Sequence, residues 1–309
     1  MEWEAELIFG LQRMSNGFTD AVFSILTYLG DELCVVAVMA FVYWCVSKKI
    51  GFRFLNVYFL SSAINVIIKA VVCRPRPYNA YPDKVTSIGG DTGGYSFPSG
   101  HTNNIATLST LACLSFKDKL KVFLPVGIGV TLLVMFTRLF LGQHYFTDVV
   151  VSAALACGMV FLFNWLYGFL GDREERIGYV GVPVAVISTI LICLLPVDGE
   201  TRKHILEITG VMASVYIGYY VDKKYIGFNE RADLKQNILK CLIGVSGAAA
   251  IYFGLRFAFI WDDTVYLLYG FLRFFFLGAW MSLFAPMIFK KLGLERETDE
   301  KIEERTQND

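Results

Sequence analysis

Charge is what this sequence has least of. Only 18% of its 309 residues are Asp, Glu, Lys or Arg, against about a quarter in ordinary soluble domains. Ten of the last 15 residues, Glu295 to Asp309, are charged, which leaves the rest of the chain poorer still. Basic and acidic residues number 28 each, so no global field draws in nucleic acid, and no nucleic-acid partner is expected. Zinc-type patterns are missing too. Six of the seven cysteines (Cys34, Cys45, Cys113, Cys157, Cys193 and Cys241) sit in apolar runs as small packing residues, with no C-x-x-C pair and no His at ligand spacing. Neither a disulfide framework nor a metal cage is implied. No N-x-[ST] sequon occurs, which fits a bacterial cell membrane. The opening Met1-Glu2-Trp3-Glu4-Ala5-Glu6 is acidic where a secretory signal is basic, so no cleaved leader is expected. Apolar residues fill the gap these absences leave: 55% of the chain is hydrophobic before its 27 glycines are counted, and the mean hydropathy is +0.50. Such a composition excludes a disordered chain and argues against a soluble enzyme. The expected fold is all-α, a polytopic membrane bundle.

A bilayer-crossing helix needs about 20 mostly apolar residues. Segments 149–171 and 177–197 meet this without a charge. Others, bounded by charges, lie near 31–47, 51–70, 100–117, 120–141, 205–222, 237–261 and 264–289, so about nine crossings are expected. Residues 1–30 mix Glu4, Glu6, Arg13 and Asp20 with Trp3, Leu7, Ile8 and Leu11, and read as an interfacial amphipathic segment, with a short insertion of 18–30 left open. A core bundle over 31–170, additional helices over 171–290 and a charged tail over 291–309 complete the organisation. Basic residues favour the cytoplasmic loops. Eighteen of the 28 fall on one face of this layout, around Lys48, Lys121, Arg176, Lys223 and Lys290. That face is expected to be cytoplasmic, with the N-terminus out and the C-terminus in.

The longest hydrophilic interruption, 73–99, lies on the opposite face, and two of the three histidines, His101 and His144, lie beside that face. Phe97-Pro98-Ser99-Gly100-His101 opens a helix, whose N-terminal amides suit an anion. Ser99 adds a hydroxyl and Gly100 permits close approach of a ligand. A plain helix cap beside an interfacial histidine is the bland alternative. His144 and Asp148 stand four apart, so one helical face lets the carboxylate fix the imidazole tautomer, leaving the other nitrogen as nucleophile or base. Lys69, Arg76 and Arg138 share this membrane face, where basic residues are disfavoured. They either snorkel to headgroups or converge on a phosphate, for which ammonium and guanidinium groups are the natural partners. Arg273 lies inside the ninth expected helix. An intramembrane Arg faces a cavity or a partner, so substrate contact and a buried pair with Glu207 both stand. Arg256 is expected to pair near the surface with Asp262 or Asp263.

Together these pieces resemble the type 2 phosphatidic acid phosphatase (lipid phosphate phosphatase) family. Its signature, K-x6-RP, then PSGH, then [ST]R-x5-H-x3-D, is matched by Lys69…Arg76-Pro77, Pro98-Ser99-Gly100-His101 and Thr137-Arg138…His144…Asp148. A second Arg-Pro at Arg74-Pro75 makes Arg74 a minor rival to Arg76. The motifs span 69–148, and the helices beyond them look like those of the nine-helix relatives, glucose-6-phosphatase and the sphingosine-1-phosphate phosphatases. The resemblance implies that Lys69, Arg76, Arg138, Ser99 and the Gly100 and His101 amides bind phosphate. It implies His144 as the nucleophile, oriented by Asp148, and His101 as the acid and then the base. No cofactor or metal is expected. A membrane lipid phosphate is the expected substrate and the lipid bilayer the expected surroundings. A phosphotransferase acting on a lipid or sugar acceptor is the second reading, and a non-catalytic transporter or scaffold the third.

Overall fold

The computed structural model describes residues 2–171, 173–258 and 266–296, and among these every regular element is helical. In chain order the helices are α1 (Glu2–Gln12), α2 (Gly17–Leu26), α3 (Glu32–Phe41), α4 (Lys48–Val72), the single turn α5 (Pro77–Ala80), α6 (Gly100–Ser115), α7 (Leu120–Phe140), α8 (Phe146–Leu170), α9 (Ile177–Leu194), α10 (Gly199–Val221), α11 (Leu234–Ala258), α12 (Tyr266–Ala279) and α13 (Ala285–Lys291).

Six stretches among the described residues are long and apolar enough to cross a bilayer: Lys48–Ala80, Lys117–Phe140, Phe146–Leu170, Glu174–Leu194, Leu234–Leu255 and Tyr269–Lys291. A seventh results if Gly17–Gly30 and Glu32–Val46, inclined at 46°, form one bent span. With that bent span counted, the expectation of nine differs at α6 and α10; without it, the run expected at 31–47 differs too. Helix α6 has 16 residues and buries Thr102, Asn103, Asn104 and Thr107. Helix α10 carries Glu200, Arg202, Lys203 and Glu207 along 23 residues. Helix α6 is short and turns polar side chains into protein, where apolar ones are not required, whereas α10 is mainly apolar along its buried face and charged in its first turns.

By packing, the chain divides into two compact units. The first comprises Met1–Val38, Phe54–Glu174 and Ile192–Ile205. Its centre is α6, which packs against both α7 and α8. The 3-10 turn Thr27–Gly30 also lies against α6, and it does so closely: a Cβ on Gly30 would meet the His101 carbonyl at 2.7 Å and a Val134 methyl at 2.9 Å. Helix α1 packs into this unit. Its Ala5 and Ile8 are fully buried with Tyr78, Val85 and Tyr145, and Glu4 is only 3% exposed.

The second unit comprises Met39–Arg53, Glu175–Leu191 and Leu206–Asp309. Trp44 donates its indole N–H to the Met281 carbonyl at 2.8 Å, and Phe52 stacks on Tyr219 with centroids 3.8 Å apart. Small residues set the approach of α10 to α12: a Cβ on Gly210 would lie 2.5 Å from the Phe271 carbonyl. The Lys48 ammonium pairs with fully buried Asp222 at 2.6 Å. Arg273 pairs with Glu207 at 3.2 Å, and its guanidinium lies over the Tyr252, Tyr269 and Phe274 rings. The pairing expected for Arg256 with Asp262 or Asp263 falls outside the described side chains.

Candidate active site

Four elements of the first unit present their polar residues at one end: the C-terminal ends of α4 and α7 and the N-terminal ends of α6 and α8. Ser99 caps α6, its hydroxyl accepting from the Thr102 amide at 3.4 Å, so that hydroxyl serves the helix. The Ser99 amide donates to the Asp148 carbonyl at 3.3 Å, and the Ser152 hydroxyl donates to the Ser99 carbonyl at 2.6 Å. These bonds fasten the turn carrying Gly100 and His101 to α8.

His144 sits in the turn between α7 and α8, 2% exposed. Its amide and that of Gln143 both donate to the Arg138 carbonyl, which closes the turn. Gly142 makes it possible with a φ of +71°, at a point where a Cβ would run into the Thr86 carbonyl. The imidazole Nδ1 faces Asp148 Oδ2 at 3.5 Å, the i,i+4 contact expected from the spacing. That is longer than a hydrogen bond, and Nδ1 is without a hydrogen-bond partner. On the other side of the ring, Nε2 lies 3.5 Å from Arg76 Nη1. Burial pushes the His144 imidazole well below its ordinary pKa, reinforced by the positive charge of Arg76, Arg138 and Lys69. The ring is therefore neutral at physiological pH.

The three cations are held in an unusual way. Lys69 donates to the Tyr95 carbonyl at 2.8 Å and the Pro98 carbonyl at 3.1 Å. Arg76 donates to the Gly93 carbonyl at 2.6 Å and the Gln143 carbonyl at 3.0 Å. Arg138 donates to the Thr27 hydroxyl at 3.1 Å, while its buried Nε has no hydrogen-bond partner. Each is positioned by neutral oxygens rather than by a carboxylate, so its charge remains available to an anion. The same three charges act on His101. Lys69, Arg76, His101, Arg138, His144 and Asp148 are thus gathered in one place. Arg273 belongs to the second unit.

Several contributors escaped the sequence reading. Arg74 is no rival to Arg76 but binds Asp148, Nη1 to Oδ1 at 2.6 Å. The Ser96 hydroxyl and the Tyr145 amide hydrogen-bond Asp148 Oδ2. Buried Gln143 donates from its side-chain amide to the Ser87 hydroxyl and Gly90 carbonyl and accepts from Thr92, drawing the loop over the site. Glu4 accepts from Arg74 at 2.7 Å and from the amide and hydroxyl of Thr147 at 2.9 and 2.8 Å. Burial alone would raise its carboxyl; these bonds outweigh it and hold the group below the usual glutamate value. Ser96, Gln143 and Arg74 lie between or beside the motif residues, and their polarity in a membrane chain was the available signal. Glu4 had none. Among the described residues no group of three His, Cys, Asp or Glu is placed to hold a metal ion.

Comparison with known proteins gives this arrangement a family. A lipid phosphate phosphatase delta of Arabidopsis thaliana is 26% identical over 171 residues, 52% of this chain and 41% of that protein. A dihydrosphingosine 1-phosphate phosphatase of Saccharomyces cerevisiae is 27% identical over 184 residues, 57% of this chain and 45% of that protein. The chain thus spans less than half the length of these two relatives. A lipid A 4'-phosphatase of Porphyromonas gingivalis is 25% identical over 166 residues, 50% of this chain and 69% of that protein. A crystal structure of a PAP2-type phosphatidylglycerolphosphate phosphatase from Bacillus subtilis superposes with a TM-score of 0.45 at 20% identity, over 56% of this chain and 86% of its own. The PAP2 superfamily model matches residues 50–172, which contain all three motifs, and the model described as PAP2 superfamily phosphatase, transmembrane extension, matches 206–297. With the two models in order on one multi-pass helical membrane chain, and together covering more than half of it, the protein belongs to the PAP2 superfamily.

Proposed function

We propose that this protein is an integral-membrane phosphatase that hydrolyses a lipid phosphate monoester or pyrophosphate through a phosphohistidine at His144, without a metal. One observation carries the reading: three cations, held by carbonyl and hydroxyl oxygens and not by carboxylates, surround a neutral buried imidazole. Such a site favours a compact dianion and offers it a nucleophile. The relatives named as phosphatases of lipid phosphates agree with it.

In the proposed reaction Asp148 holds the tautomer with the proton on His144 Nδ1, and the Nε2 lone pair attacks phosphorus. The N–P bond forms as the P–O bond to the lipid breaks, and the leaving oxygen takes a proton from His101, which protonates once the bound phosphate dianion offsets the burial and the three cations that disfavour its charge in the free site. The imidazolium formed draws the 3.5 Å contact with Asp148 shorter, as catalytic hydrogen bonds do on the way to the transition state. Water then attacks phosphorus, gives its proton to His101, and the N–P bond breaks. Lys69, Arg76 and Arg138 neutralise the equatorial oxygens, with the Gly100 and His101 amides at the head of α6. The positive-inside balance supports an extracytoplasmic site.

The test is phosphate release from a panel of phosphatidate, phosphatidylglycerophosphate, polyprenyl pyrophosphate and sphingoid phosphates, combined with rapid alkaline quenching of a labelled substrate. Label is expected on a peptide containing Gln143–Asp148 and is lost in His144→Ala. His101→Ala should slow turnover by about 10²- to 10⁴-fold, and by less with a p-nitrophenol leaving group. Label retained until a lipid or sugar alcohol is added would make the protein a phosphotransferase. Robust turnover with no label on His144 would overturn the mechanism.

A further inference from the structure

The carboxylate that orients His144 is the middle of a longer buried chain of charges, and that chain ends on the N-terminal helix. Asp148 is 0% exposed. Its Oδ1 is bound by Arg74 Nη1 at 2.6 Å, and its Oδ2 faces His144. The same Arg74 Nη1 reaches the Thr147 hydroxyl at 2.7 Å, while Nη2 reaches Glu4 Oε2 at 2.7 Å. Glu4 Oε1 takes both the amide and the hydroxyl of Thr147, in the first turn of α8. The guanidinium lies 3.9 Å from the centroid of the fully buried Tyr145 ring. Every group in this chain is fixed from at least two directions.

We propose that Glu4 and Arg74 are positioning residues for phosphoryl transfer, so that α1 is a working part of the catalytic apparatus and not only a membrane-surface helix. The reasoning is electrostatic. Arg74 aims the Asp148 carboxylate, but a lone guanidinium at 2.6 Å would also neutralise it, leaving little negative charge to stabilise the imidazolium that forms when His144 is phosphorylated. Glu4 cancels that guanidinium. The pair Glu4–Arg74 is then neutral, and Asp148 keeps a net negative charge directed at Nδ1. Burial makes each member dependent on the others, because removing one partner leaves an uncompensated charge out of water.

This inference rests on His144 being the nucleophile, and the experiment separates the two. The single-turnover rate constant for labelling His144 with a radiolabelled lipid phosphate is measured in wild type, Glu4→Gln, Arg74→Gln, the double variant and Glu6→Gln. A rate constant does not depend on how much protein is folded, whereas the labelling amplitude does. Glu4→Gln, nearly isosteric, should lower the rate constant about tenfold, with KM unchanged because the phosphate-binding cations are intact. Arg74→Gln should lower it about 10²- to 10³-fold, by leaving Glu4 and Asp148 without their shared cation. The double variant should be faster than Arg74→Gln alone, which is coupling of the sign the relay requires. Glu6→Gln, which removes only the surface pair of α1 with Lys84, should match wild type. A wild-type rate constant in Glu4→Gln, or a loss confined to amplitude, would overturn the relay while leaving the function standing. Wild-type protein that turns over without labelling His144 would overturn both.

Discussion

At the scale of single residues, the neutrality of His144 has a consequence for stability that needs no substrate. In the fold, burial and then the charges of Arg76, Arg138 and Lys69 keep the imidazole unprotonated. In the unfolded chain it protonates below about pH 6.5. The unfolded state therefore binds the extra proton, and stability is lost progressively as pH falls below that value and is retained above it. Replacing His144→Gln should flatten the dependence of melting temperature on pH between about 6.5 and 5, by up to about 1.4 kcal/mol per pH unit. An unchanged slope would mean that the folded protein carries a protonated His144. The spacing made the contact of His144 with Asp148 legible, but not its cause: His144 precedes α8, and the turn closed on the Arg138 carbonyl, rather than a shared helical face, brings the ring to the carboxylate. The way Lys69 and Arg76 are held was not legible, since their partners are carbonyl groups of Gly93, Tyr95, Pro98 and Gln143, which any residue would supply. Ser99 shows the opposite limit: the bland expectation of a helix cap describes what its hydroxyl does.

At the scale of elements, the wall beside His101 comes from a four-residue 3-10 turn within the segment read as interfacial. Thr27 of that turn receives Arg138, and the Gly30 carbonyl receives the Asn104 side-chain amide at 3.0 Å. Since a Cβ on Gly30 would press on the His101 carbonyl, Gly30→Ala should destabilise the protein by about 1–3 kcal/mol through overpacking and shift the first turn of α6. Gly17→Ala, whose Cβ would meet nothing within 4 Å, is the matched control for thermal denaturation. Equal melting temperatures would show the turn to be loosely packed. Hydropathy located the most apolar helices well: a run expected at 120–141 is Leu120–Phe140, and one at 149–171 overlaps Phe146–Leu170 along all but its last residue. It read α6 and α10 less well, because α6 buries polar side chains and the first turns of α10 are charged. It could not see α1 reaching the first turn of α8, because the Thr147 amide and Glu4 are 143 residues apart in sequence and no local periodicity spans that interval.

At the scale of the whole molecule, the asymmetry of basic residues makes a sided prediction. Lys84 and Lys203 should react with an impermeant amine reagent added outside intact cells, and Lys121 and Lys223 should not. Reaction of the second pair alone would invert the protein and move the site to the cytoplasm. The manner in which Lys69, Arg76 and Arg138 are held has a further bearing on the protein as a folded object. Like charges gathered without a carboxylate paired to each repel; Asp148, Glu200 and Asp31 offset this only in part, and the fold carries the remainder as reduced stability. A tetrahedral oxyanion relieves it, so binding and folding are linked: phosphate or vanadate acts as a stabiliser in proportion to its occupancy of the site. By the same logic, a neutral replacement of one of these cations gives a protein harder to melt and unable to turn over, so thermal stability is the wrong criterion for choosing which form of this protein to study.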